Sequence, residues 1–274
     1  MSTSRAFSKT AMCCVLGLAI TSGTTAQDSA GERMDVAPET GPDVAERVVG
    51  GVAVGSKAWP ATRISITTIG GKKFMCTATI IGPRVVLTAA HCVNDKTTMQ
   101  IAIAGGTATV RCNHHDSYAP ANNFRNDIAL CLASTNLTLP PLERYERLNV
   151  TPSLPSTNAS VILLGFGCTS KDPDSKTSGY LHQGPSTVAY KMDNRINMGN
   201  GAVLCEGDSG GAAYLQVGDR RSVIGVNSTR AGDFSYSNVT NVAAPEIATF
   251  IASWSEANAA PICGYTAPAT VCRN

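Results

Sequence analysis

What this chain has little of narrows it first. Its most apolar segment, residues 11–20, falls well short of the roughly 20 residues a helical membrane span needs, and no later stretch is longer. A net charge of +2 is too small to steer the chain strongly onto nucleic acid or an anionic membrane. Paired Cys-x-x-Cys spacing, a common mark of structural zinc sites, does not occur. Histidine is scarce. His91, His114, His115 and His182 are the only four, so any histidine-based chemistry must use one of them.

Against these absences stands Cys205-Glu206-Gly207-Asp208-Ser209-Gly210-Gly211-Ala212. Glycines allow a tight turn and leave backbone N–H groups uncovered beside the Ser209 hydroxyl, as a nucleophile needs if those groups must also hold a developing oxyanion. Ser209 is therefore a candidate nucleophile; a Gly-rich turn with a spectator serine is the plain alternative. A serine hydroxyl needs a neighbouring base, usually a histidine oriented by a buried carboxylate. All four histidines precede Ser209, which excludes the α/β-hydrolase order, in which the histidine follows the serine. An order of His, Asp, Ser stays open. It is met by His91 in Leu87-Thr88-Ala89-Ala90-His91-Cys92 and by Asp127 in Asn126-Asp127-Ile128-Ala129-Leu130.

Four segments, Arg47-Val48-Val49-Gly50-Gly51, Thr88-Ala89-Ala90-His91-Cys92, Asn126-Asp127-Ile128-Ala129-Leu130 and Gly207-Asp208-Ser209-Gly210-Gly211, occur in this order. Together they closely resemble the signatures of the chymotrypsin-like (trypsin-fold) serine proteases, from Val48 to about Trp254. The resemblance implies an all-β fold of two packed six-stranded antiparallel Greek-key barrels with a C-terminal helix. It also implies a Ser-His-Asp endopeptidase.

The ends of the chain read separately. Residues 1–26 open with Arg5 and Lys9, continue through the apolar run and close on small residues at Thr24-Thr25-Ala26, the pattern of a secretory signal peptide. The expected location is extracellular or periplasmic. Residues 27–47 are polar, without apolar periodicity, and read as a disordered pro-segment ending at Arg47. By the resemblance, cleavage after Arg47 frees the Val48 ammonium to pair with Asp208, and this ion pair orders the loop carrying Gly207 and Ser209. The alternative is that Asp208 caps a turn.

The protease domain is expected over residues 48–260: a first barrel over about 48–145, a second over about 146–245 and a helix over 245–260, with a tail at 261–274. Short β-branched runs punctuated by glycine predict first-barrel strands at 64–69, 74–81, 85–88, 99–104, 107–112 and 128–132, with a hairpin at Gly70-Gly71. A polar, Pro-containing connector spans 134–158. Second-barrel strands are expected at 161–166, 187–191, 212–217, 222–226 and 235–242. Ile247, Phe250, Ile251 and Trp254 fall at helical spacing after Pro245.

Removing the signal takes away Cys13 and Cys14 and leaves an even set of cysteines in an exported chain. The resemblance implies Cys76 with Cys92, beside the histidine. It would also pair Cys205 with the loop walling the specificity pocket, but no cysteine lies between residues 227 and 242. Cys168 follows Gly165-Phe166-Gly167, expected near the oxyanion loop, so Cys168 with Cys205 is the reading, leaving Cys112 with Cys131 and Cys263 with Cys272. A zinc site is the rival use of these residues.

The implied roles are His91 as base and then acid, Asp127 as its orienting carboxylate, Ser209 as nucleophile, Gly207 and Ser209 N–H as oxyanion hole, and Ser228 as a hydrogen-bond donor to Asp127. Val203 falls where the family's pocket floor lies, followed by Leu204. An aspartate there selects Arg or Lys, so the expected preference is for small or medium apolar residues. Thr229, Arg230 and Phe234 are expected at the pocket walls; the opposite reading has Arg230 attracting acidic substrates. His114, His115 and Asp116 read as a solvated loop. The stretch between Ile101 and Cys112 lacks the acidic residues that bind calcium in some relatives. No metal and no cofactor are expected.

Expected partners are protein or peptide substrates and an Arg-specific activating protease, with no nucleic acid, no membrane and a monomeric state. Sequons at Asn136, Asn149, Asn158, Asn227 and Asn238 matter only in a glycosylating host. Two rival functions are a catalytically silent binding module, suggested by Ala212 where the family has proline, and an esterase using the same acyl-transfer groups.

Overall fold

The computed structural model describes residues 49–55, 57–103, 106–170 and 178–273. The signal peptide, the pro-segment, Arg47 and Val48 lie outside the described residues.

A short strand, β1 (Val52–Ala53), precedes the first barrel, which is built from β2 (Thr62–Ile69), β3 (Lys72–Gly82), β4 (Val85–Thr88), β5 (Thr98–Ile103), β6 (Gly106–His114) and β7 (Ala129–Ala133). The second barrel uses β8 (Ser160–Gly165), β9 (His182–Met192), β10 (Arg195–Gly199), β11 (Ala212–Val217), β12 (Arg220–Arg230) and β13 (Ser237–Asn241). All these pairings are antiparallel. The first barrel closes in the order β2-β3-β4-β7-β6-β5, and the second closes as β8-β9-β10-β13-β12-β11, with β1 added at β9. The two circuits have one topology used twice, and closure leaves neither barrel with long open edges.

The hairpin between β2 and β3 turns at Gly70 and Gly71, whose φ values of 57° and 79° are the left-handed geometry a two-residue turn requires. Strand β3 starts exposed at Lys72 and is buried continuously from Cys76 to Gly82. That change marks where it leaves solvent and enters the seam with the second barrel. There the Thr77 N–H donates to Ser209 O at 2.8 Å.

Strands β4 and β11 occupy the predicted residues; most others run a residue or more longer at an end. The second barrel has a strand the sequence reading lacked, β10, in which Ile196 and Met198 are buried between polar neighbours. Its pairing with β9 and β13 supplies what its composition does not. The predicted helix is α1 (Pro245–Ala257), with Pro245 at its start and Ile247, Ile251 and Trp254 buried. Trp254 Nε1 donates to Asn113 Oδ1 of β6 at 3.1 Å, so the helix that follows the second barrel packs back onto the first.

One loop reading is corrected. His115 is buried, accepts from the Ser117 N–H at 3.0 Å and packs on Phe250, while the His114 ring reaches Val93 O at 2.7 Å. The His115–Phe250 contact braces the first barrel against α1 and His114 packs within the first barrel, so neither ring belongs to a solvated loop, while Asp116 stays exposed.

The disulfides are Cys76–Cys92, Cys112–Cys131, Cys168–Cys205 and Cys263–Cys272. A buried ion pair also holds the tail side of the molecule. Arg221 donates to fully buried Glu146 through Nη2 at 2.6 Å and Nε at 3.2 Å, and its guanidinium lies 3.7 Å from the Trp59 ring centre.

Candidate active site

The site forms at the seam, each side chain held by its own element. His91 sits in a single helical turn, Ala90–Cys92, directly after β4, with Cys92 tied to β3 by its disulfide. Asp127 lies just before β7 and is fully buried. A buried carboxylate is costly unless its oxygens are satisfied, and here both are. Oδ1 accepts the His91 backbone N–H at 2.9 Å; Oδ2 faces His91 Nδ1 at 2.6 Å and accepts from Ser228 Oγ at 2.5 Å. Ser228 comes from β12 and Thr240, whose hydroxyl donates to Asp127 O at 2.9 Å, from β13. The second barrel thus grips a carboxylate of the first and fixes which imidazole nitrogen faces away.

The Ser209 turn is shaped by what glycines permit. Gly207 and Gly210 have φ of 98° and 82°. A side chain on Gly210 would strike the Thr88 hydroxyl and the Thr77 carbonyl, so the turn lies against β4 and β3, three residues before His91. The N–H groups of Asp208, Gly210 and Gly211 each find a carbonyl: Cys205 at 3.1 Å, Asn227 at 2.8 Å and Asp208 at 3.0 Å. Those of Gly207 and Ser209 donate to nothing among the described residues. Two unspent donors beside one hydroxyl are the geometry an oxyanion requires. His91 and Ser209 make no hydrogen bond with each other here; bonds of this kind lengthen without substrate and tighten around it.

Asp208 is buried under the turn. Gly167 N–H donates to its Oδ1 and Cys205 N–H to its Oδ2, each at 2.8 Å. Gly165 and Gly167 lack the side chains that would collide with this carboxylate. Burial pushes its pKa up to about 7, against the two N–H donors that pull it down, and no cation pairs with it among the described residues. Thr77 completes the loop's support, its hydroxyl donating to Gly207 O at 2.8 Å and accepting from Phe166 N–H at 3.0 Å. Thr77, Gly165 and Gly167 were not singled out in the sequence as site residues.

A cavity of about 270 Å³ opens beside Ser209, lined by Leu204, Cys205, Glu206, Ser228, Thr229 and Arg230. Val203 and Phe234, expected at this pocket, are absent from its lining. Val203 is buried and bridged to Val49. Phe234 sits in the β12–β13 turn at φ 59°, its ring under the Arg230 guanidinium at 3.7 Å. The β12–β13 register instead sets Ser237 opposite Arg230, and the Ser237 hydroxyl accepts from Leu204 N–H at 2.9 Å. Arg230 is bonded to Glu206 at 2.5 Å, so its charge is already answered. A larger cavity of about 450 Å³, lined in part by Arg147, Leu154 and Arg220, holds none of these residues. Among the described residues two groups are spaced closely enough for a metal, Cys76/His91/Cys92 and Cys168/Cys205/Glu206, but both cysteine pairs are disulfides and offer no thiolate.

The comparisons with known proteins agree with this architecture. A family model described as Trypsin matches residues 48–252. The chain belongs to the trypsin family. Among its trypsin-family relatives, Trypsin alpha-4 of Lucilia cuprina is 26% identical over 193 residues, covering 62% of this chain and 73% of that protein. Trypsin delta of Drosophila erecta is 28% identical, covering 62% and 74%. Chymotrypsin-like elastase family member 1 of Homo sapiens is 29% identical over 224 residues, covering 68% and 83%.

Proposed function

We propose that this chain is a secreted serine endopeptidase, made as a precursor and activated by cleavage after Arg47. The observation that carries the reading is the buried Asp127 holding His91 Nδ1 beside a serine turn with two unspent N–H donors. In the proposed reaction Ser209 Oγ attacks the peptide carbonyl carbon while His91 Nε2 takes its proton. The oxyanion settles on the N–H groups of Gly207 and Ser209, worth on the order of 3 kcal/mol per donor in related chemistry. The C–N bond breaks as His91 passes the proton to the leaving amine, and water then releases the acyl group by the same steps. Asp127, steadied by Ser228, holds the imidazole tautomer and stabilises its cation.

Activation follows from Asp208. In the uncut chain the Val48 nitrogen is a peptide amide, and cleavage turns it into an ammonium that a buried, unpaired carboxylate attracts. An Arg-specific protease must make that cut, because the one carboxylate lining this pocket, Glu206, is already paired with Arg230 and leaves a substrate Arg no free counter-charge. Apolar Leu204 lines the cavity, and the Arg230–Glu206 pair closes part of its wall. Small or medium apolar side chains fit such a pocket. The acidic-substrate alternative loses its basis, since Glu206 and the Phe234 ring already occupy Arg230. Relatives named trypsins and elastases both match, so their names do not choose the preference. The signal-like residues 1–26 and the four disulfides support export, outside the cell or in a periplasm.

The test is Ser209→Ala in the processed protein. Hydrolysis of peptide substrates and labelling by a fluorophosphonate both vanish, while thermal stability stays near that of the parent. Retained labelling would refute the assignment, and a parent that takes up no label would mark a silent module.

A further inference from the structure

The pairing of Cys205 is where this chain leaves its family's pattern, and its surroundings give that departure a consequence. The carboxylate of Asp208 is held by two backbone donors, the N–H groups of Gly167 and Cys205. These belong to two separate segments, and the Cys168–Cys205 disulfide joins them immediately beside both donors. Cys168 N–H also donates to Glu206 O at 3.0 Å, and Asp208 N–H to Cys205 O at 3.1 Å. Asp208 lies between Gly207 and Ser209, whose N–H groups form the proposed oxyanion hole. The cross-link therefore fixes the frame from which that hole hangs.

Chemical access is uneven. Among the described cysteines Cys168 is half-buried, and the others are buried. A soluble reductant meets Cys168 Sγ before any other described disulfide sulfur. Glu206 Oε2 lies 3.2 Å from Cys168 Sγ and 3.3 Å from Cys205 Sγ, an anion that slows but does not block a thiolate's approach.

We propose that Cys168 and Cys205 are positioning residues for the acyl-transfer reaction, and that their disulfide is a redox-sensitive clamp on the oxyanion hole. Opening it needs an external dithiol. One thiolate attacks Cys168 Sγ, the S–S bond breaks, and Cys205 leaves as a thiolate and takes up a proton. The reagent's second thiol then closes its own disulfide and releases Cys168 as a thiol. Gly167 and Cys205 are then free to move apart, the grip on Asp208 loosens, and the donors at Gly207 and Ser209 lose their fixed aim. Cys205 also lines the substrate cavity, but Leu204 stays held by Ser237 and Thr229 by β12, so the larger loss falls on turnover.

This inference rests on the catalytic reading above, and its test separates the two. The paired variant Cys168→Ser/Cys205→Ser, processed after Arg47, shows kcat lowered about tenfold or more, the scale of an impaired oxyanion donor, with KM within about twofold of the parent. In the parent, mild dithiol treatment followed by alkylation labels Cys168 and Cys205 first. Activity falls in proportion to that label and returns on reoxidation, whereas the paired variant ignores the dithiol. Amide exchange at Gly167 and Cys205 quickens at least tenfold once the bond is open, a readout that needs no activity. A folded paired variant with parental kcat overturns the proposal, as does unchanged exchange with the bond open, or equal dithiol sensitivity of parent and variant. A parent that neither hydrolyses peptides nor takes a fluorophosphonate overturns the catalytic reading and the effect on turnover, and the exchange measurement still decides the clamp.

Discussion

A side chain on Gly210 would meet the Thr88 hydroxyl, the Thr77 carbonyl and the Ala89 nitrogen, and its φ of 82° already lies where L-residues are strained. Gly71, with a similar φ of 79°, has nothing within 4 Å of the same added atom. The two positions separate backbone strain from collision. Gly71→Ala costs about 1 kcal/mol, the left-handed penalty alone. Gly210→Ala costs roughly 2 kcal/mol more, because β3 and β4 cannot give way without moving His91. Denaturant melts of both variants in a Ser209→Ala background, which avoids self-digestion, read the difference directly. Equal costs would mean that the serine turn does not press on the first barrel.

At the level of elements, the two barrels and the helix meet at three polar side chains. Asn194, between β9 and β10, donates to Asn126 Oδ1 at 2.6 Å and to Glu246 Oε2 at 2.8 Å, and Asn126 Nδ2 donates to Glu246 Oε1 at 3.0 Å. Asn126 directly precedes Asp127, so the tie bears on the site as well as on packing. The Asn194 amide, then His115 and Arg125, hold the Glu246 carboxyl below its usual range, against a desolvation that raises it. A depressed carboxyl contributes stability above its unfolded pKa and loses it as pH falls through the folded value. Glu246→Gln therefore costs about 1 kcal/mol at neutral pH, a partly exposed charge-assisted pair, and the gap to the parent closes in acid. A constant gap from pH 3 to 7 would show that the charge is irrelevant. This tie was illegible in the sequence: Asn126 and Asn194 are 68 residues apart, Asn126 and Glu246 120, and no periodicity links them. Legible elements were those whose signal is local. The apolar residues 85–88 and 212–217 read as strands, and the spacing of Ile247, Ile251 and Trp254 read as a helix. Arg195–Gly199 was missed because its pairing with neighbours on both sides carries it. In the site, four motifs pointed to His91, Asp127 and Ser209, while Ser237, which holds the Leu204 N–H behind the cavity, waited on a strand register that no short turn sequence fixes.

For the molecule as a whole, the proposed activation requires a cut after Arg47 to reach a serine 161 positions on, from Val48 to Ser209. In that proposal Asp208 is the link, and its titration is the measurable sign. In the uncut chain, burial raises its pKa from the ordinary 3.8 to about 7. The folded state then holds a proton that the unfolded state gives up between those values. A raised pKa contributes stability that is full below the unfolded value and is lost as pH rises through the folded one. Asp208 thus destabilises the uncut fold progressively from about pH 4 to about pH 7, by at most roughly 4 kcal/mol for a shift of this size. In the proposed cut form, with a Val48 ammonium against the carboxylate, the preference inverts: the charged form is favoured, and its contribution is present above the unfolded pKa and lost in acid. Melting temperatures of uncut and cut Ser209→Ala protein across pH 4 to 7 therefore diverge as pH rises, the cut form gaining on the uncut. In Asp208→Asn the two curves run parallel. Parallel curves in the Ser209→Ala protein itself would separate the cut from the carboxylate and leave Arg47 without a role in ordering the serine loop.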